Sequence, residues 1–183
     1  VVNGIAEPSC GIALHLLMDN PDWLDLSGTD IAVLGAGAEM APTRSLLRWG
    51  ARIHALDLPR PDIWQRLIDI ARNTSGSIRI PISPSDVGEM PFVTGGIVHT
   101  EDDAVVAAAA GVDLLEQPGE IAQWLNEIMN PFVLGNYTYA DGATHATLSM
   151  SADAIFRKLD SQRKDITLAF LATPTDVFMV PLS

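Results

Sequence analysis

The stretch VLGAGAEMAP, Val33 to Pro42, joins a short apolar run to a glycine-rich turn. Glycines at 35 and 37 let the backbone turn tightly and come close to a phosphate. A helix beginning after such a turn offers free N–H groups and its positive dipole end. Asp57 closes the next apolar run, ARIHALD, at a spacing that suits a carboxylate accepting hydrogen bonds from both hydroxyls of a ribose. The same charge repels a 2′-phosphate, which makes NAD the expected cofactor ahead of NADP. Arg60 works against that preference without reversing it. A full G-x-G-x-x-G motif needs glycine at 40, where Met40 stands, with Ala41 the nearest small residue. The expected cofactor-binding positions around this turn are Gly35, Gly37, Ala38, Met40 and Asp57. A plain structural turn would use the same glycines, but the order strand, turn, helix, strand, Asp favours a ligand.

NYTYADGATH, Asn136 to His145, follows another strand-like run and so falls on the edge where open α/β sheets hold ligands. Tyr139, Asp141 and His145 are the expected catalytic residues: a proton donor, an orienting carboxylate and an imidazole. The plainer reading is a turn at Asp141-Gly142, Thr144 in a first helical turn, and a tyrosine half-buried at a strand end. Asp86 is placed to reach an adenine amino group, or to cap a turn. Thr173 is placed to bond a carboxamide, or to shape the chain after the last strand. His54 falls inside a strand and reads as a core histidine. His15 belongs to the polar side of the first helix, and His99 has no identifiable partner.

Other chemistries are not legible. The single cysteine, Cys10, excludes an internal disulfide and reads as a small buried hydrophobe. No His/Cys spacing marks a metal site, and Glu101 to Asp103 reads as a negatively charged helix start. Neither a G-x-S-x-G elbow nor a Walker lysine is present. With 23 acidic against 11 basic residues the net charge is −12, which repels phosphate backbones and anionic lipid. A small-molecule substrate is therefore the expected partner, with neither nucleic acid nor membrane. A homodimer, or further domains of a longer chain from which this is a fragment, completes the expectation. The longest apolar run, Ala104 to Val112, is too short to span a bilayer, and no signal-peptide pattern opens the chain, so a cytoplasmic location is expected.

The elements that must position these residues alternate. SCGIALHLLMDN reads as a helix with Ser9 as its N-cap, IAVLG as a buried strand, and EMAPTRSLLRWG as a helix closed by Gly50. ARIHALDL is a second strand, PDIWQRLIDIARN an amphipathic helix with Pro61 in its first turn, and GSIRIPI a third strand. Ser83 to Gly96 reads as a long polar loop. The helix EDDAVVAAAA, a fourth strand GVDLL, the helix PGEIAQWLNEIM, a fifth strand PFVLGNYTY, the helix GATHATLSMSADAIFRKL and a sixth strand DITLAFLAT follow. Alternating strands and helices imply an α/β, three-layer, doubly wound parallel sheet over residues 31–183. Residues 1–30 form an N-terminal helix and lead-in packed on it.

LGAGAEMA followed by GARIHALD resembles the opening of the short-chain dehydrogenases/reductases, and DITLAFLATPTDVFMV is similar to their last parallel strand and nicotinamide-covering loop. The resemblance implies a Rossmann fold, a nicotinamide cofactor, hydride transfer and an acid such as Asp86 at the adenine. It departs from the family at the glycines, whose later positions fall on Glu39 and Ala41. The family's catalytic pair, Tyr with Lys four residues later, is missing too. Asp141 and Ala143 stand four residues after Tyr137 and Tyr139. The turn with EPSCGIALHLL before it is also similar to the cofactor domain of methylene-tetrahydrofolate dehydrogenases, with the same implied cofactor. An atypical NAD-dependent oxidoreductase is the expected function. The alternatives are an S-adenosylmethionine-dependent methyltransferase-like domain and a non-catalytic Rossmann module. Glu39 weighs against a pyrophosphate more than against S-adenosylmethionine.

Overall fold

The run DIAVL is apolar on both faces, as a strand covered by helices on either side requires. The computed structural model describes Gly4, residues 7–82 and residues 102–171, and there this run is the central strand β1 (Asp30–Leu34), buried along its length. β2 (Arg52–Leu56), β3 (Ser77–Arg79), β4 (Phe132–Asn136) and β5 (Ile166–Phe170) complete a five-stranded, all-parallel sheet in the order β3-β2-β1-β4-β5. The register sets Leu34 beside Leu56 on one side and Asn136 on the other. The chain steps outward from β1 to β3 and returns on the far side of β1, so the strand order reverses between β1 and β4. This is the expected Rossmann-like α/β arrangement.

Side chains alternate across a strand, and β1 feeds both faces of the sheet. Ile31 and Val33 join a core with Leu47, Trp64, Leu67 and Ala107, supplied by α2 (Thr43–Arg48), α3 (Pro61–Arg72) and α4 (Asp103–Ala109). Ala32 and Leu34 face Ile121, Trp124, Leu125 and Ile155, supplied by α5 (Pro118–Asn126) and α6 (Gly142–Gln162). α3 shows how the pattern works. Pro61 is preset for its first turn, and Trp64, Leu67 and Ile68 recur at helical spacing and are buried.

Several elements differ from the sequence expectation. GVDLL is not a strand: Gly111 to Leu115 carries the chain from the α4 face to the α5 face past the carboxyl end of β2. The Val112 N–H donates to Asp57 O, and the Gly111 N–H to Pro81 O. Gly111 has φ +118 and lies so close to Pro59 that a Cβ would collide with it, so a regular ladder cannot form there. Asp113 and Gln117 then close a turn, with Asp113 Oδ1 accepting from Leu115 N–H and Gln117 Oε1 from Asp113 N–H. α2 begins at Thr43 and not at Glu39, because Ala38 to Pro42 remain in turns. Thr43 Oγ1 donates to Ala36 O at 2.7 Å and ties the helix start to the glycine turn.

α1 (Pro8–Asp19) starts from Glu7, and the Ser9 hydroxyl bonds Glu7 in place of capping the helix. None of the α1 residues is buried, so Cys10 is exposed and not part of a core. No helix among the described residues is long and apolar enough to cross a membrane.

At the amino end of the sheet a polar cluster gathers around the buried Asp30, with Arg52 and Asn130 at its exposed edge. The buried Asp30 carboxylate accepts from Arg52 Nε (3.1 Å), Asn130 Nδ2 (2.9 Å) and His54 Nε2 (2.8 Å). Burial alone would push the Asp30 carboxyl up, but these donors outweigh it and hold it well below the usual carboxylate range. His54 is a core histidine, as its strand position implies. Its edge meets the Trp124 ring, and its Nδ1 has no hydrogen-bond partner among the described residues. Burial pushes the imidazole below its ordinary value against the pull of Asp30.

Candidate functional site

The carboxyl ends of β1, β2 and β4 open on a cleft of about 320 Å³, at the point where the strand order reverses. In doubly wound sheets this is where ligands sit, because the loops on either side of the reversal diverge and leave a crevice. Gly35, Gly37 and Ala38 line it from the turn after β1, and Asp57, Leu58 and Arg60 from the loop after β2. The opposite wall comes from Thr138, Tyr139 and Ala140 after β4 and from Thr144 and Leu148 of α6. Leu114 and Leu115 of the crossing segment close the cleft.

The glycines of the turn are there for backbone geometry. Gly35 has φ +76, a conformation that costs other residues strain, and its Cα faces the Tyr137–Thr138 backbone, where an added Cβ would lie 3.1 Å away. At Gly37 a Cβ would collide with Ile63 of α3, so glycine is what lets the turn and the second helix close on each other. Arg66 Nη2 donates to Gly37 O at 2.6 Å and clamps the turn to the same helix.

Asp57 is the most constrained polar group of the cleft. Its Oδ2 accepts the Gly37 N–H at 2.7 Å, and its Oδ1 accepts the Leu58 N–H at 2.8 Å. Each carboxylate oxygen keeps acceptor capacity beyond these single bonds. The group is therefore held in one orientation and still able to take two ligand hydroxyls. The Gly37 N–H, which a pyrophosphate would need, is already satisfied by an anion. α2 starts well after the turn, so its N-terminus does not follow directly on Gly37. Glu39 adds an exposed carboxylate to the turn, and Met40 is 71% exposed and does not line the cleft. Arg60, the one cationic lining residue among those described, is paired with Asp62 at 2.9 Å.

The expected catalytic trio is brought together at the lip of the cleft. The Tyr139 hydroxyl donates to Asp141 Oδ1 at 2.9 Å, and the Tyr139 and His145 rings lie 5.7 Å apart, tilted by 48°. Asp141 stands at the N-cap of α6 but makes no capping bond; its carboxylate serves the phenol. This hydrogen bond and the neighbouring negative charge raise the Tyr139 phenol above its ordinary value, so its proton is held toward Asp141. Tyr139 is 76% exposed and is no half-buried plug; Tyr137 takes that part, and burial raises its phenol.

Asp86, His99 and Thr173, and the stretch from Ser83 to Gly96, lie outside the described residues. Sequence reasoning missed Leu114, Leu115, Thr138 and Leu148 as lining residues. The signal available for the first two was the Asp113–Gln117–Pro118 turn chemistry, which breaks an apolar run otherwise read as a strand. Among the described residues no group of His, Cys, Asp and Glu is arranged to hold a metal ion. No protein-family model, curated protein or solved structure matches the chain.

Proposed function

We propose that this chain is an adenosine-cofactor-binding domain of a group-transfer enzyme, with S-adenosylmethionine as the best-fitting cofactor. The observation that carries the reading is the Asp57 carboxylate, pinned by two backbone N–H groups at the floor of the switch-point cleft with acceptor capacity left for the ribose hydroxyls. Leu58, Leu114 and Leu115 supply apolar contacts for a base beside it. The choice of cofactor follows from charge. A pyrophosphate would have to displace Asp57 from Gly37 and sit in a turn that also carries Glu39. S-adenosylmethionine brings no phosphate, and when bound it supplies a methyl group activated on a sulfonium. The cleft volume lies near the low end of the range for ligand sites, which suits one nucleoside better than two.

A second reading keeps the expected nicotinamide dinucleotide and an oxidoreductase activity. Arg60 favours it, since a guanidinium is the one cationic group on the cleft wall among the described residues and suits a phosphate. In both readings Asp57 orients the ribose, while Tyr139, Asp141 and His145 border the reacting end.

The test is a calorimetric titration with S-adenosylmethionine, S-adenosylhomocysteine, NAD and NADH. Tryptophan fluorescence is followed in parallel; of the four tryptophans Trp64 has its indole N–H bonded to Leu58 O on the cleft wall at 2.9 Å. Binding of the two adenosyl sulfur compounds, weakened at least tenfold in Asp57→Asn, is the expected result. Preference for the dinucleotides moves the assignment to the second reading. Silence from all four at millimolar concentration overturns both.

A further inference from the structure

We propose that Gly37, Leu58 and Arg66 build an anion site that the chain fills with its own Asp57 carboxylate, and that this makes the cleft refuse phosphate. The filled site stands on its own geometry; only the consequence for the ligand rests on the adenosine-cofactor reading.

Two backbone N–H groups from different loops converge on the carboxylate, Gly37 on Oδ2 at 2.7 Å and Leu58 on Oδ1 at 2.8 Å. Convergent main-chain donors at a strand end are what the phosphate sites of open α/β sheets offer an anion. A cation stands beside them. The point where a Gly37 Cβ would be lies 3.2 Å from Asp57 Oδ2 and 3.4 Å from Arg66 Nη2, so carboxylate and guanidinium flank the same edge of the glycine. Arg66 uses a donor on Gly37 O, and a guanidinium has five. The neighbouring amides of the turn are bonded to the backbone: Gly35 and Ala36 donate to Leu56 O, and Ala38 donates to Gly35 O. Of the amides from Gly35 to Ala38, that of Gly37 is the one given to an anion, and the anion is Asp57.

Asp57 is buried, and both it and Gly37 line the cleft. A phosphate entering there meets a fixed negative charge seated on the donors it needs, whereas a ligand hydroxyl meets acceptor capacity. The ligand class that follows is a nucleoside with no phosphate at its 5′ position. Removing the carboxylate should convert the same turn into a phosphate site, because both N–H groups then lose their acceptor and the repulsion is gone.

Inorganic phosphate is the probe, titrated into the full chain at constant ionic strength with chloride as the balancing anion. Calorimetry and the amide resonances of Gly37 and Leu58 follow it. Asp57→Ala should bind phosphate about tenfold more tightly than the parent, the effect of a hydrogen bond gained by a charged group, and both amides should shift saturably. Asp57→Asn, whose carboxamide oxygen can still accept the Gly37 N–H, should gain less. Adding Arg66→Met to Asp57→Ala should remove most of the gain. Should Asp57→Ala not fold, Asp57→Ser is measured in its place. A parent that binds phosphate as well as Asp57→Ala, amides that stay unmoved, or a gain that survives Arg66→Met would overturn the proposal. Adenosine and its 5′-monophosphate then separate the filled site from the cofactor reading. The parent should prefer adenosine, and Asp57→Ala should prefer the monophosphate; a parent that prefers the monophosphate overturns the proposal. If neither nucleoside binds the parent while the phosphate gain stands, the adenosine reading fails and the filled anion site remains.

Discussion

Gly37 and Asp57 are bonded across the loops that follow β1 and β2: the glycine N–H donates to the carboxylate at 2.7 Å, while Ile63 stands where a Cβ would go. The turn, the strand end and the first turn of α3 therefore behave as one unit. Gly37→Ala forces Ile63 and the helix away, and such overpacking costs about 1–3 kcal/mol. Urea unfolding should show that loss, together with weaker binding of the proposed adenosine cofactor. Gly35→Ala acts through its left-handed backbone, for about 1–2 kcal/mol.

Asp57→Ala leaves the Gly37 and Leu58 N–H groups without their acceptor. The expected destabilisation is about 1–3 kcal/mol, that of hydrogen bonds made to a buried charged group. A change in the denaturation midpoint at constant slope would report it. An unchanged midpoint would mean that the carboxylate does not hold the turn.

The cluster beneath the sheet makes stability depend on pH. The unfolded His54 takes up its proton near pH 6.5, whereas the native imidazole, pushed down by burial, protonates only at lower pH. Between the two values the unfolded chain binds more protons, so stability falls as the pH drops below about 6.5, by up to about 1.4 kcal/mol per pH unit. His54→Gln should remove that contribution. Asp30 adds stability that is present above its unfolded value and is lost as the pH falls further, through its lowered native one. Denaturation midpoints measured from pH 8 down to about pH 2 would separate the two, the His54 loss falling below about 6.5 and the Asp30 loss below about 3.9.

The protein has two tyrosines, and both phenols are raised, Tyr137 by burial and Tyr139 by Asp141. An alkaline titration of phenolate absorbance should show no group ionising at or below the ordinary value. Asp141→Asn should bring one of the two back toward it. If neither moves, the bond between Tyr139 and Asp141 is absent in solution.

Ile12 and Leu14 of α1 are exposed although the helix is apolar. Replacing both with serine should change stability by no more than about 0.5 kcal/mol each. Leu47→Ala, in the core against β1, should cost about 2–5 kcal/mol. Thermal melts of the two variants make the comparison.

The alternation of apolar runs with helical spacings determined the α/β class by itself, because DIAVL and ARIHALD can be covered on both faces only in a parallel sheet. The glycine turn and the acid after the second strand were legible for the same reason: tight backbone approach needs glycine, and a strand end points its last polar residue at the ligand edge. Only the tertiary structure decided that GVDLL would cross the sheet end in place of joining it. Its apolar residues suit either course, and the choice depends on Gly111 meeting Pro59 from a distant part of the chain. Pattern could not show that Asp57 would satisfy Gly37, or that α1 would remain uncovered, since both depend on which surfaces meet. The sequence placed Tyr139, Asp141 and His145 on one edge. Folding alone set the phenol on the carboxylate and the two rings 5.7 Å apart, through the turn that starts α6.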